Sequence, residues 1–103
     1  MRVSYDTMYQ EFVRVLLKRG FTKEKAELSA KLYADASRDG VYTHGLNRFP
    51  KFMTSIDKGC VNIQAEPVLK ESFGFFERYD GQQGPGNLNA YACMKRTIEL
   101  AKK

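Results

Sequence analysis

Three runs of apolar residues at helical spacing each close on a glycine, and this punctuation divides the N-terminal part of the chain into short helices. Tyr5, Met8, Tyr9, Phe12, Val15 and Leu16 recur with the 3.6-residue period of one helix face. Ser4 stands ahead of them as an N-cap, and Asp6 suits the positive end of a first turn. Lys18-Arg19-Gly20 then reads as a helix end, so the first helix is expected over about 5–19. Thr22 caps a second helix, with Phe21 before it and Ala26 four positions later as a hydrophobic staple. Ala26, Ser29, Ala30, Tyr33 and Ser37 give that helix a small-residue face suited to close packing on the first, and it stops near Asp39-Gly40. A third run, Leu46, Phe49, Phe52, Met53 and Ile56, is closed by Gly59. Pro50 lies inside it and allows two placements. Either the helix starts near Asn47, so that Pro50 falls among the free first-turn amides, or it starts near Thr43 and bends at Pro50.

The remaining chain changes character. Cys60 to Glu66 is irregular, and Pro67–Ser72 and Phe75–Tyr79 flank Phe73-Gly74 as a β-hairpin or two neighbouring strands. Asp80 to Gly86 is a loop. A last helix from about Asn87 carries the apolar stripe Leu88, Tyr91, Ala92, Met94, Ile98, Leu100 and Ala101. The expected fold is α+β: a mainly helical lobe of about four helices with a small β element, forming one domain over residues 1–103.

Charge and composition narrow the function classes. The formal net charge is +5, but Lys18-Arg19, Lys23, Lys25, Lys95-Arg96 and Lys102-Lys103 are dispersed. Each sits near an expected helix end or face, where a cation is favoured without any ligand. A solvated surface is therefore expected rather than a nucleic-acid footprint. The longest uncharged apolar run, Ala90–Met94, has five residues, so no membrane span is expected. No apolar core of a signal peptide follows Met1, which makes the cytoplasm the expected address. Two cysteines, Cys60 and Cys93, and one histidine supply neither a disulfide scaffold nor a metal site.

Two stretches have the residue types for chemistry. His44, the single histidine, sits in Thr43-His44-Gly45-Leu46-Asn47-Arg48. If this stretch is helical, His44 and Arg48 share a face. Arg binds a carboxylate through two parallel hydrogen bonds, and His exchanges a proton near neutral pH. Together they match a 2-oxo or 2-hydroxy acid, with Gly45 letting a ligand approach the backbone. The competing reading is a surface or capping histidine beside an arginine found by chance. The second stretch, Gly81-x-x-Gly84-x-Gly86, follows a strand and precedes a helix as phosphate cradles do. Its order is not that of the dinucleotide fingerprint, and Pro85 removes a donor, so a plain turn leading into a helix competes. Glu77 and Asp80 lie near by with no partner at catalytic spacing.

The stretch Asp39-Gly40-Val41-Tyr42-Thr43-His44-Gly45-Leu46-Asn47-Arg48-Phe49-Pro50-Lys51-Phe52 resembles the signature of the malate/L-lactate dehydrogenase family that lacks a Rossmann fold. Its Asn-Arg-Phe-Pro-Lys-Phe part is most similar to the 2,3-diketo-L-gulonate reductase branch. A second anchor, Tyr79-Asp80-Gly81 through Gly86-Asn87-Leu88 to Met94 and Ile98-Glu99-Leu100-Ala101, resembles another segment of the same family. The resemblance implies reduction of a 2-oxo acid with NAD or NADP, usually by a cytoplasmic homodimer. It also implies that His44 is the acid/base on the carbonyl oxygen and that Arg48 contacts the substrate carboxylate. Thr43 stands where the family usually has Ser, so it keeps a hydroxyl for the substrate and adds a methyl. Family members are about three times as long. The resemblance therefore implies an N-terminal piece, inactive alone, with most cofactor contacts in the part that is missing. Beside it stands a reading from another class, a small basic α+β module that binds nucleic acid or an acidic protein.

Overall fold

A computed structural model describes residues 4–41 and 44–102. The chain divides into two compact units, Met1–Cys60 and Val61–Lys103.

The first unit holds three helices, α1 (Tyr5–Lys18), α2 (Lys23–Arg38) and α3 (Phe49–Asp57). The side chains of Ser4 and Thr22 accept hydrogen bonds from the amides of Thr7 and Lys25, as N-caps do. All three helices end the same way. Gly20, Gly40 and Gly59 take positive φ values of 95°, 88° and 78°. The amides of the residues after them, Phe21, Val41 and Cys60, then reach back to the carbonyls of Leu16, Ala36 and Ser55. With the glycine amides bonded to Leu17, Ser37 and Ile56, this is the Schellman arrangement, which satisfies the last carbonyls of each helix.

α1 packs on α2 through the small-residue face. Ala26, Ser29, Ala30, Tyr33 and Ser37 are all buried, as the sequence predicts, and Phe21 is buried with Ala26 at the staple. The core centres on an aromatic cluster. Phe49 stacks on Phe12 with ring centroids 4.1 Å apart and meets Tyr33 edge-on at 5.4 Å. Phe52 adds contacts to Tyr33 and Phe21. At the edge of the same pair of helices, Asp35 accepts hydrogen bonds from the Tyr5 hydroxyl and Lys31, each 2.6 Å long.

α3 settles the question raised by Pro50. Arg48 is the N-cap, Phe49 the first helical residue and Pro50 the second, where no intrahelical amide is lost. The helix neither starts near Thr43 nor bends.

The second unit holds an antiparallel hairpin, β1 (Val68–Phe73) and β2 (Phe76–Asp80), followed by α4 (Gly86–Ala101). Val68 pairs with Asp80 and Phe73 with Phe76, with a bulge at Lys70. The Asp80–Gly86 loop is tied to the irregular segment before β1. The Asn62 amide donates to the Gln83 carbonyl, and the Gln82 side chain donates to the Glu66 carbonyl. Among the described residues, four α-helices and a two-stranded sheet make the expected α+β architecture. The last helix carries its expected apolar stripe, but none of that stripe is buried, and Met94 and Ile98 are 60% and 50% exposed.

Candidate functional site

His44 lies in a 3₁₀ turn and residues 45–48 form turns ahead of α3, so the His44–Arg48 stretch is not α-helical. The premise that helical spacing puts the two side chains on one face is therefore corrected. Another set of bonds holds the stretch. The His44 amide donates to the Val41 carbonyl, and the amides of Arg48 and Phe49 both donate to the Gly45 carbonyl. Between them, the Leu46 amide donates to the Ser37 hydroxyl at 2.6 Å. Gly45 lies directly against Ser37: a Cβ there would stand 2.1 Å from the Ser37 Oγ and 2.7 Å from its backbone nitrogen. The missing side chain at Gly45 thus serves the contact with α2, not the approach of a ligand. Thr43 lies outside the described residues.

His44 and Arg48 are both exposed. Arg48 differs from the other described arginines. Arg14 pairs with Glu11, Arg19 with Asp57, Arg38 with Asp35, Arg78 with Glu71, and Arg96 with Glu77 and Glu99. Among the described residues Arg48 has no carboxylate partner. Its guanidinium does lie within electrostatic reach of the Tyr33 hydroxyl. Burial pushes that hydroxyl up to about 12, while the Arg48 charge pulls it down. Arg48 is thus the residue directly before a ring that is buried in the core.

The glycine loop before α4 does not form a phosphate cradle. A Cβ at Gly81 would meet the Asn89 side chain at 2.5 Å, and one at Gly84 would meet Ala65 and the Gly81 carbonyl. The space beside these glycines is taken by the protein itself. Pro85, which has no amide hydrogen, is the residue that opens α4. At Gly86 a Cβ would meet nothing within 4 Å, so the crowding is at Gly81 and Gly84, and there the loop is packed as a plain turn is.

Glu77 does have a partner, 19 residues away in sequence. Arg96 of α4 grips its carboxylate with two hydrogen bonds of 2.8 Å, and the Tyr79 hydroxyl donates to it as well. The Glu77 and Glu99 hydrogen bonds raise the Arg96 pKa above its ordinary value. A cavity of about 600 Å³ lies beside this cluster, with Phe75, Phe76, Cys93 and Thr97 in its wall. Its charged groups neutralise one another, and it contains neither His44 nor Arg48. Among the described residues, no three His, Cys, Asp or Glu side chains converge as metal ligands, and no helix is long and apolar enough to cross a membrane.

Comparison with known proteins agrees with both sequence anchors. The chain is 45% identical over 101 residues to the 2,3-diketo-L-gulonate reductase of Pasteurella multocida, a match covering 98% of this chain and 30% of that protein. It is 45% identical over 103 residues to the reductase of the same name from Haemophilus influenzae, covering 31% of it. In structure it matches the malate dehydrogenase of Pyrococcus horikoshii OT3 with a TM-score of 0.92 and 31% identity, over 99% of this chain and 29% of that one. This chain thus spans about 30% of the length of the relatives it matches. The small basic binding module finds no support in these matches. The pattern of the malate/L-lactate dehydrogenases runs through residues 3–103, and the chain belongs to that family.

Proposed function

We propose that this chain supplies the proton donor and the carboxylate clamp of an enzyme that reduces a 2-oxo sugar acid of the 2,3-diketo-L-gulonate type. His44 is the acid/base at the carbonyl oxygen, Arg48 holds the carboxylate, and Thr43 contacts the substrate through its hydroxyl. The observation that carries this reading is Arg48, without a carboxylate partner among the described residues, four residues from the exposed His44 on a turn held by α2. A guanidinium with no internal carboxylate keeps its planar fork free for a substrate carboxylate.

The chemistry divides between the two side chains. Arg48 meets a group that is charged before and after reduction, so it serves binding and orientation. His44 meets an oxygen on which negative charge builds as the carbonyl is reduced, and its proton ends on that oxygen as the hydroxyl. Family membership implies a nicotinamide cofactor, NAD or NADP, as the source of the hydride. The crowding at Gly81 and Gly84 speaks against a phosphate site in this loop, and we assign the cofactor contacts to the part of the enzyme beyond these residues. In this reading the 103 residues form the N-terminal lobe of a cytoplasmic homodimer and are inactive alone.

Steady-state kinetics on the intact enzyme test the assignment. His44→Ala is expected to lower kcat by about 10²–10⁴-fold with a small change in KM. Arg48→Ala is expected chiefly to raise KM for the oxo acid, and Arg48→Lys to restore it only in part, because a point charge lacks the fork. A His44→Ala enzyme with near-normal kcat and an unchanged pH profile would return this histidine to a surface role.

A further inference from the structure

We propose that Ser37 is a positioning residue for this site: it fixes the distance and orientation between His44 and Arg48 from the last turn of α2. The proposal rests on the roles given above to His44 and Arg48. Ser37 is 7% exposed and touches the turn at two successive residues. Its Oγ accepts the Leu46 amide at 2.6 Å. Its backbone lies so close to Gly45 that a Cβ there would stand 2.7 Å from the Ser37 nitrogen. Gly45 and Leu46 are the residues next after His44. The Gly45 carbonyl in turn receives the Arg48 amide at 3.0 Å. One buried side chain therefore holds the peptide that follows the acid/base and, through the Gly45 carbonyl, the residue carrying the clamp.

The position of Ser37 is itself set. It lies in the last turn of α2, and its carbonyl accepts the Gly40 amide in the helix-closing motif. The glycine end of α2, the serine and the turn are thus one rigid construction. Without the Oγ, the Leu46 amide loses its acceptor in a half-buried place, and the turn is free to shift by the fraction of an ångström that catalytic geometry does not tolerate.

The test is kinetic, on the intact enzyme, with four variants beside His44→Ala. Ser37→Ala should lower kcat/KM by about 10–100-fold, with kcat falling and KM rising together, since acid and clamp are both misplaced. Ser37→Thr keeps the oxygen and should restore kcat/KM to within about threefold. Ser29→Ala removes a buried serine from the same face of α2 but leaves the acceptor of the Leu46 amide in place, and should leave kcat/KM unchanged. Ser37→Cys replaces the oxygen with a weak acceptor of similar volume and should fall between Ala and the parent, which keeps the question open to measurement if Ser37→Ala does not fold. Full kcat/KM in Ser37→Ala or Ser37→Cys, in a series where His44→Ala is crippled, overturns the positioning role alone. The same holds if Ser29→Ala loses as much activity as Ser37→Ala, because the effect is then only stability. Near-normal kcat in His44→Ala overturns the catalytic reading and the positioning role with it.

Discussion

Phe49 ties the fold of the first unit to the site, because it follows Arg48 and fills the aromatic core. It is 6% exposed, stacks on Phe12 at 4.1 Å and meets Tyr33 edge-on at 5.4 Å. Truncating a buried phenylalanine to alanine costs about 3–5 kcal/mol. Each of the two ring pairs accounts for about 0.5–1.5 kcal/mol of that. At about 0.05–0.15 kcal/mol per residue, a unit such as Met1–Cys60 has roughly 3–9 kcal/mol in all. Phe49→Ala should therefore bring the unit to the edge of unfolding. Phe49→Leu keeps most of the apolar volume and loses the ring pairs, so it should cost about 1–3 kcal/mol. Urea unfolding followed by far-ultraviolet circular dichroism on the parent, both variants, Phe12→Leu and the Phe12→Leu/Phe49→Leu pair would measure these costs. The pair should show a coupling of about 0.5–1.5 kcal/mol between residues 12 and 49. A cost below about 1 kcal/mol for Phe49→Ala, or a Leu variant as damaged as the Ala one, would refute the claim that this ring is the centre of the core.

Two pH predictions follow from groups in the same unit. Partial burial works to raise the Asp35 pKa, but hydrogen bonds from Lys31 and Tyr5 outweigh it and hold the carboxyl below its ordinary value. Its stabilising contribution is then present above the unfolded pKa and lost as pH falls through the lower, folded one. The urea midpoint should drop on acidification, and Asp35→Asn should flatten that drop while costing about 1 kcal/mol near pH 7. Tyr33 behaves in the opposite sense. Its hydroxyl stays protonated to about 12 in the fold, against 10.0 for a free tyrosine, so stability is intact below pH 10 and declines above it. Tyr33→Phe should remove about 2–3 kcal/mol of the loss expected by pH 12, read from urea unfolding across the alkaline range. An unchanged alkaline slope in the Phe variant would show that the hydroxyl is not the group responsible.

The helical unit was legible because its signals are local. Ser4, Thr22 and the glycines after residues 19, 39 and 58 act within one helical turn of the ends they define, and each end lies where those residues put it. The site was legible as a motif but not as a geometry. Leu46 falls at helical spacing with Phe49, Phe52 and Met53, which extends the apparent helix back over His44 and Arg48. In the fold Leu46 is 48% exposed, and its amide is taken by Ser37, nine residues earlier. A hydrogen bond across that gap leaves no periodic trace, so Ser37 was readable only as part of a small-residue face. Gly45 carries the same lesson: an isolated glycine signals a close approach without saying what approaches.

The second unit shows the other limit of pattern reading. The sequence assigns α4 an apolar stripe, and the stripe is there, yet none of its residues is buried. Phe73, Phe75 and Phe76 of the hairpin are 84%, 69% and 62% exposed as well. Periodicity reports that one side of a helix is apolar; it does not report what covers that side. Among the described residues from Val61 onward, only Pro85 is buried, whereas the first unit buries side chains from all three of its helices. The second unit is held instead by polar links: the Arg96–Glu77 pair joins α4 to β2, and two hydrogen bonds tie the glycine loop to the segment before β1. Glu77 is engaged by both Arg96 and Tyr79, so its carboxylate has a structural task beside the cavity it lines. An ion pair whose members stand 19 positions apart is invisible to local spacing, while the capped helices leave their signals within a few residues.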